Sequence, residues 1–320
     1  MKVWVLADDR AGNVNQLLGV AEALHQPFER KEIRYNRWVK LPNWLRGRTF
    51  IGLDSSYKQD LVSDFPDVVL SAGRRSFPIA RAIKRLSKGK TKIVQLMNPL
   101  NGQKDADLIV FPLHDNYTGH ASNVLQVLGT PHRITSEKLA QEKLHWKNVM
   151  KQYPPKRLSL IVGGATKNKP FTLEMARSLI QGVKDLKPAS VLVTTSRRTP
   201  EDIVAVLQKE LPRPCFFYRF GDKTENPYFG LLSWADEIIV TGDSMSMCTE
   251  CCATGVPVFI FAPEGMVSEK HQRFHKNLYA QGVAAPVGQA FPSGGQRINP
   301  ADEIADRILQ LCPMSSHQKK

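Results

Sequence analysis

One stretch constrains the fold of this chain more than any other: Trp234-Ala-Asp-Glu-Ile-Ile-Val-Thr-Gly-Asp-Ser-Met-Ser-Met-Cys-Thr-Glu-Cys-Cys-Ala-Thr-Gly-Val-Pro-Val-Phe-Ile-Phe-Ala-Pro263. Ile238 to Thr241 is a short β-branched run without charge, suited to a buried parallel strand. Gly242, Asp243 and Ser244 break it with residues that favour turns and helix N-caps. Met245 to Ala253 is helix-compatible, and Gly255 with Pro257 ends the helix and opens the next strand. A loop that leaves a parallel strand and opens a helix lies at the carboxyl edge of the sheet, where α/β folds bind ligands. The N–H groups that open such a helix can hold a phosphate. Glu250 shares a helix face with Ser246, four residues earlier. Its carboxylate is placed to accept two ribose hydroxyls; an ordinary βαβ unit with a solvent-exposed Glu would carry the same pattern.

The same grammar of apolar strand and amphipathic helix runs through both halves of the chain. In the first half, Val3 to Ala7 reads as a strand and Asn13 to Leu24 as a helix with one apolar face. Residues 68–70, 93–94 and 108–111 are further strands, and Phe77 to Leu86 is a helix starting at Pro78. In the second half, strands are expected at 158–162, 190–194 and 215–218, with helices at 172–186, 200–211 and 269–281. Alternating strands and helices predict parallel sheets wound by right-handed crossovers. Pro154-Pro155 ends a helix expected over Ser136 to Lys151. The domain boundary is placed there, giving residues 1–152 and 153–320. The last helix, 300–311, is expected to pack back on the first domain. The loop 290–299 and the tail from Ser315 are expected to be mobile.

Length and composition narrow the function classes. The 320 residues suffice for two ordinary domains. No apolar run approaches the roughly 20 residues of a membrane span. The N-terminus turns acidic at Asp8-Asp9, too soon for a secretory signal. Five cysteines, three of them in one helix, point to a reducing compartment. Cys248, Cys251 and Cys252 lack a second ligand pair and read as small buried residues rather than a metal site. A net charge of +14 favours an anionic partner: nucleic acid, lipid or a phosphate-bearing substrate. No stacking aromatics interleave the basic runs, which argues against nucleic acid.

Several loops that follow strands carry chemistry. Gly163-Gly164-Ala165-Thr166-Lys167 offers backbone amides and a cation to a phosphate. Ser196-Arg197-Arg198-Thr199-Pro200 offers a helix cap and two guanidinium forks. With the Asp243 loop, these should converge at one sheet edge. In the first domain, Gly12, Asn13 and Gln16, with Gly73 and Arg74, sit at strand-to-helix junctions and are assigned to the acceptor side. Arg74 and Arg75 either bind an acidic acceptor or cap a neighbouring carboxylate. An inverting transferase needs a general base near the acceptor hydroxyl, and Asp9 and His114 are the candidates. The sequence shows no Ser-His-Asp order, metal-ligand cluster or Walker loop.

These residues resemble known families. Glu250 to Pro257, then Glu269-Lys-His271-Gln272 and Gly282-Val-Ala, look like the donor half of MurG-type transferases, in which the Glu contacts the ribose of a UDP-sugar. Asp243-Ser244 replaces that group's Gly-rich turn, and His275 stands where it has Asn. A match covering almost the whole chain is to the mitochondrial-fission Elm family. It rests on Asp8-Asp9, Gly12, Gln16, residues 71–75, Pro112 to Asp115, Gly163-Gly164, Thr195 to Pro200, Asn226-Pro227-Tyr228-Phe229 and Thr241 to Met247. The resemblance implies the GT-B fold, two Rossmann-like domains facing across a cleft, and adds Asn226 to the nucleotide-sugar set. GT-B enzymes generally need no bound metal, so the nucleotide sugar is expected as substrate, without cofactor. Taken with the excess of cations, which suits an anionic or lipid-linked acceptor, the expected function is a cytoplasmic glycosyltransferase, peripheral to the inner membrane, acting on an envelope acceptor. The alternative is a non-catalytic adaptor that keeps the fold and recruits a protein, as the plant member is linked to recruiting a fission dynamin.

Overall fold

The computed structural model describes residues 1–166, 169–292 and 297–312. Lys167, the tail from Ser315 and part of the 290–299 loop lie outside the described residues. The chain forms two compact units, Met1–Arg133 together with the C-terminal segment from Asn299, and Ile134–Ile298.

The first unit runs β1 (Val3–Ala7), α1 (Ala11–Ala23), β2 (Phe28–Glu32), α2 (Asn43–Arg46), β3 (Val68–Ala72), α3 (Gly73–Leu86), β4 (Lys92–Leu96), β5 (Leu108–Pro112) and β6 (Val124–Val127). Its strands pair in the order β2-β1-β3-β4-β5-β6, all parallel. Successive residues of β1 feed opposite faces. Val3 and Val5 pack with Leu17 and Val20 of α1. Trp4 and Leu6 pack with Phe77, Ile79 and Ile83 of α3. A strand buried on both faces needs no polar face, which is why β1 reads as one apolar run.

Helix α3 begins at Gly73, directly after β3, rather than at Pro78. Gly73 takes φ +68, a conformation glycine adopts without strain. Pro78 then lies inside the helix, where its missing N–H leaves the carbonyl of Arg74, four residues back, without its helical donor. The Asn43 side chain supplies one instead, donating to Arg74 O at 2.8 Å.

The second unit runs α4 (Ser136–His145), α5 (Lys147–Met150), β7 (Arg157–Val162), α6 (Leu173–Asp185), β8 (Ser190–Thr195), α7 (Glu201–Glu210), β9 (Cys215–Tyr218), α8 (Tyr228–Trp234), β10 (Glu237–Thr241), α9 (Met245–Cys252), β11 (Val258–Phe261), α10 (Glu269–Ala280) and β12 (Ala285–Pro286). The strand order is β12-β11-β10-β7-β8-β9, again parallel throughout. Leu158, Leu160 and Val162 of β7 bury against Leu179, Ile180 and Val183 of α6. Cys248, Cys251 and Cys252 are buried free thiols, as their spacing suggests.

The division between units falls earlier than Pro154-Pro155. Helices α4 and α5 belong to the second unit, because Trp146 and Met150 bury against Leu192 and Leu231. Gly230 makes room for that indole: a Cβ there would stand 2.4 Å from Trp146 Cδ1. Trp234 Nε1 also donates to Lys143 O at 2.9 Å. The proline pair only ends α5 and turns the chain into β7. The last helix, α11 (Pro300–Leu311), returns to the first unit, where Ile304, Ala305 and Ile308 share the core with Val3 and Leu17.

Each sheet reverses its strand order once, between β1 and β3 in the first unit and between β7 and β10 in the second. At such a point the crossovers leave in opposite directions and open a crevice at the carboxyl ends of the strands.

Candidate functional site

The crevice of the second unit is framed by Gly163-Gly164 after β7, Ser196–Thr199 after β8 and Gly242–Ser244 after β10. Asp243 ties all three together. Its Oδ1 accepts from Thr241 Oγ1 at 2.7 Å, and Thr241 Oγ1 accepts the Gly163 N–H at 2.7 Å. Its Oδ2 accepts the Gly164 N–H at 3.0 Å and pairs with Arg198 Nη2 at 2.7 Å. The Asp243 side chain is wholly buried. The glycines are required by this approach: a Cβ at Gly163 would lie 2.1 Å from Asp243 Oδ1, and one at Gly164 2.0 Å from Arg198 O. The two amides expected to meet a phosphate are therefore spent on Asp243 and Thr241.

Ser196 and Thr199 close a turn around Arg197 and Arg198. Thr199 Oγ1 accepts from Ser196 N at 2.9 Å, and Ser196 Oγ from Arg198 N at 3.2 Å. Arg198 points to Asp243, while Arg197 remains exposed. Ser244 caps α9 by accepting from Met247 N at 3.4 Å. Ser246 is half-buried in the first turn of that helix.

Glu250 stands one turn further along α9. Its Oε2 accepts a short hydrogen bond from Tyr228 OH at the start of α8. Burial raises its carboxyl pKa to about 7, against the opposing pull of the Tyr228 hydroxyl. Near neutrality this group exchanges between acid and carboxylate, so it can either donate or accept. Asn226 contributes by position: its Oδ1 accepts from Tyr228 N at 3.0 Å and fixes the start of α8.

Helix α10 closes the other flank. His275 is 3% exposed, and its Nε2 lies 2.9 Å from Gly242 O. A carbonyl only accepts, so Nε2 carries the proton. Burial lowers the His275 pKa to about 4, which keeps the ring neutral. His275 thus pins α10 to the switch-point loop, in the position where MurG-type sequences have Asn. A cavity of about 760 Å³ lies on the β11–β12 side, lined among others by Gln181, Phe261, Glu264, Gln272, His275 and Lys276. His275 joins it to the Gly242 loop, whereas Gly163, Asp243 and Glu250 do not line it.

The first unit has its own clasp. Arg75, from the first turn of α3, pairs with Asp8 Oδ2 at 2.9 Å and, more closely, with Asp9. Its guanidinium lies 4.6 Å from the Tyr35 ring centroid. Asp8 is buried, whereas the Asp9 side chain is 65% exposed. The Arg75 hydrogen bond holds the Asp9 carboxyl below its usual range, which weakens it as a base. His114 is buried in the turn after β5, with Nε2 3.9 Å from Asp115 Oδ1. Asp9 follows β1 and His114 follows β5, three strand positions away, about 14 Å at the usual strand spacing. The two expected bases are not brought together. Gly12, Asn13 and Gln16 lie in the first turns of α1, and Asn13 Nδ2 is 3.7 Å from the Cβ position of Gly73 at the start of α3. Arg74 contributes its carbonyl to Asn43, and it is Arg75 that caps the carboxylates.

Sequence reasoning passed over Tyr228, Thr241 and Asp8 as partners. All three stand inside quoted motifs, but the bonds of Tyr228 to Glu250, Thr241 to Gly163 and Asp8 to Arg75 join segments apart in the chain. Among the described residues, no group of three or more His, Cys, Asp or Glu could hold a metal ion.

Comparison with known proteins places this arrangement. A Rickettsia prowazekii protein, uncharacterized RP120, is 28% identical over 322 residues, covering 89% of this chain and 90% of its own. The Arabidopsis thaliana mitochondrial fission protein ELM1 is 27% identical over 255 residues, 72% of this chain but 60% of the plant protein. The solved structure of a UDP-GlcNAc 2-epimerase from Neisseria meningitidis bound to UDP-GlcNAc is 14% identical, with TM-score 0.52 over 98% of this chain and 91% of that one. The two parallel-sheet units and these neighbours assign the GT-B fold. The family described as mitochondrial fission ELM1 matches residues 11–312, and the chain belongs to that family.

Proposed function

We propose that the second unit binds a nucleotide-diphosphate sugar, and that the protein is a metal-independent GT-B glycosyltransferase. The observation that carries this is Glu250, a half-buried carboxyl one turn beyond Ser246, beside the switch point, whose side-chain hydrogen bond is to Tyr228. When ionised, it accepts the two ribose hydroxyls. The exposed Arg197 and the opening N–H groups of α9 at Ser244–Ser246 take the diphosphate. The fold neighbour from Neisseria was solved with UDP-GlcNAc, which supports a UDP-sugar as the first donor to try. The first unit takes the acceptor, and the excess of cations suits an anionic envelope acceptor presented from the cytoplasmic face of the inner membrane.

Calorimetry with UDP-, GDP-, ADP- and CMP-sugars tests the donor. A donor should bind below millimolar, and Glu250→Ala should cost roughly 1–3 kcal/mol. If no donor binds, or Glu250→Ala binds as wild type, the reading is wrong.

One observation favours a second reading. Asp243 places a carboxylate of the protein where its Oδ2 uses the Gly164 amide and Arg198, donors that a diphosphate would need. A protein that fills its own anion site suits the non-catalytic adaptor, with a protein partner. Absence of turnover with every donor and envelope lipid extract, in a folded protein, selects the adaptor.

A further inference from the structure

We propose that the first unit carries a docking surface for an anionic phospholipid membrane, made of an apolar cap over residues 38–51 and a cationic pocket beside it. The cap holds Trp38, Trp44, Leu45 and Ile51, exposed by 49%, 67%, 49% and 45%. Leu100, 61% exposed, stands on the neighbouring loop. Single exposed apolar residues are ordinary on a soluble protein, but large ones clustered in one short segment mark a binding surface.

This cap is held rigidly. Arg46, fully buried, donates from Nε to Ile51 O and from Nη2 to Arg75 O, both at 2.9 Å. Asn43 donates to Arg74 O at 2.8 Å and to Pro99 O at 2.9 Å, which fastens α2 to both α3 and the Leu100 loop. The polar side of the segment thus faces inward and leaves the tryptophans and Leu45 outward.

Next to the cap lies a pocket of about 270 Å³ lined by Arg48, Arg81, Lys84, Arg85, Lys104 and Asp105. Five cations face one carboxylate. Asp105 is already shared between Arg48 and Arg81, and Lys84 also pairs with Asp107. Arg85 and Lys104 are exposed. Arg81 Nη1 also donates to Gly47 O at 2.9 Å, so pocket and cap are one piece. A pocket of this size and charge suits a phosphate headgroup. Interfacial tryptophan and leucine beside it suit the boundary between headgroups and acyl chains. A soluble phosphate ligand would account for the pocket but not for the adjoining apolar cap, so the lipid surface is the occupant.

Sedimentation with vesicles tests this. The full chain should bind phosphatidylcholine vesicles containing one quarter phosphatidylglycerol, and bind pure phosphatidylcholine at least about tenfold more weakly, since each cation near an anionic surface contributes several-fold. Trp44→Ala with Leu45→Ala should lower binding about tenfold, and Arg85→Glu with Lys104→Glu should abolish the anionic preference. All four positions are exposed, so thermal melts should stay at the wild-type value. A control pair, Lys184→Glu with Lys209→Glu, makes the same charge change on the second unit and should bind as wild type. Equal loss in the control would show that only net charge acts, and would overturn the proposal. So would binding that survives both patch variants, or calorimetric binding of inorganic phosphate by a protein that ignores vesicles.

Discussion

The two switch points use the same ingredients in opposite proportion. In the first unit one cation, Arg75, is shared by two carboxylates, and the outer one reaches solvent. In the second, one carboxylate, Asp243, is shared by an amide, a hydroxyl and a guanidinium, and none of its side chain reaches solvent. The first arrangement leaves spare charge at the surface. The second converts the donors of two loops into a clasp. A loop at the carboxyl edge of a parallel sheet offers a ligand only those donors that the fold has not already spent. In the second unit the donors are Arg197 and the start of α9, and Glu250 adds an acceptor.

Deleting the two acids separates the buried clasp from the surface pair most directly. Asp243→Ala strips Gly164, Thr241 and Arg198 of their acceptor in a buried setting. It should cost about 2–3 kcal/mol, mostly from the Gly164 amide and the Thr241 hydroxyl left buried without an acceptor, since Arg198 is 38% exposed and can turn to water. Arg198→Ala in the same background should add little, because its partner has gone. Chemical denaturation of the three variants measures this. If Asp243→Ala proves as mild as removal of the exposed Asp9, the contrast between clasp and surface pair does not hold.

Glu250 sharpens the contrast, because its energetics run with pH. Its folded pKa, about 7, lies above the ordinary 4.5. The folded state therefore binds the proton more tightly than the unfolded chain. Its contribution is fully present below pH 4.5 and is lost as pH rises through 7, at most about 3 kcal/mol in all. Glu250→Gln should flatten that slope while keeping the bond from Tyr228. Melts of both proteins from pH 5 to 8 should converge at the acid end in slope and diverge at the alkaline end, with the wild type declining. Donor binding should move the other way: an ionised Glu250 accepts ribose hydroxyls, so affinity should rise across the same window. A wild type whose stability is flat over this range would place Glu250 in solvent.

Glycine positions make a smaller but cleaner test. Gly163→Ala drives a methyl to 2.1 Å from a carboxylate held by three bonds. It should cost about 1–3 kcal/mol, the usual penalty for overpacking. Gly12→Ala, with nothing within 4 Å, should be neutral or gain a few tenths through helix propensity in α1. Equal effects would mean that the second crevice is as open as the first.

The fold was legible where strands are buried on both faces. Val3–Ala7, Leu158–Val162 and Ile238–Thr241 have no charged position, and each became an interior strand. Phe28–Glu32 escaped notice because it is an edge strand carrying Glu29, Arg30, Lys31 and Glu32, held by pairing with β1 rather than by burial. Pro78 misled because a proline usually opens a helix, and only the distant Asn43 makes it tolerable inside one. The site loops were legible as loops after strands. Their internal pairings were not: Asp243 with Gly164 and Tyr228 with Glu250 join different loops and helices. No local pattern reports whether an amide will be spent on a side chain seventy-nine residues away.

The smallest effect falls on Asp9, and it separates a base from a surface partner. Asp9→Asn keeps the shape, leaves Arg75 its bond to the buried Asp8, and removes one exposed charge. The stability cost should stay below about 1 kcal/mol, as for other exposed pairs, and shrink further in high salt. The sign with pH follows from its lowered pKa: the contribution is present above the ordinary carboxylate range and disappears as pH falls through the lowered value. Melts of wild type and Asp9→Asn should therefore differ slightly at neutral pH and coincide in acid. Should a donor and acceptor be found, the same variant decides the catalytic role. A carboxylate already bonded to Arg75 and open to water is a weak base, and turnover should survive its loss within about tenfold. A fall of a hundredfold or more, the usual size for a general base, would return Asp9 to the reaction and make the Arg75 clasp the device that positions it.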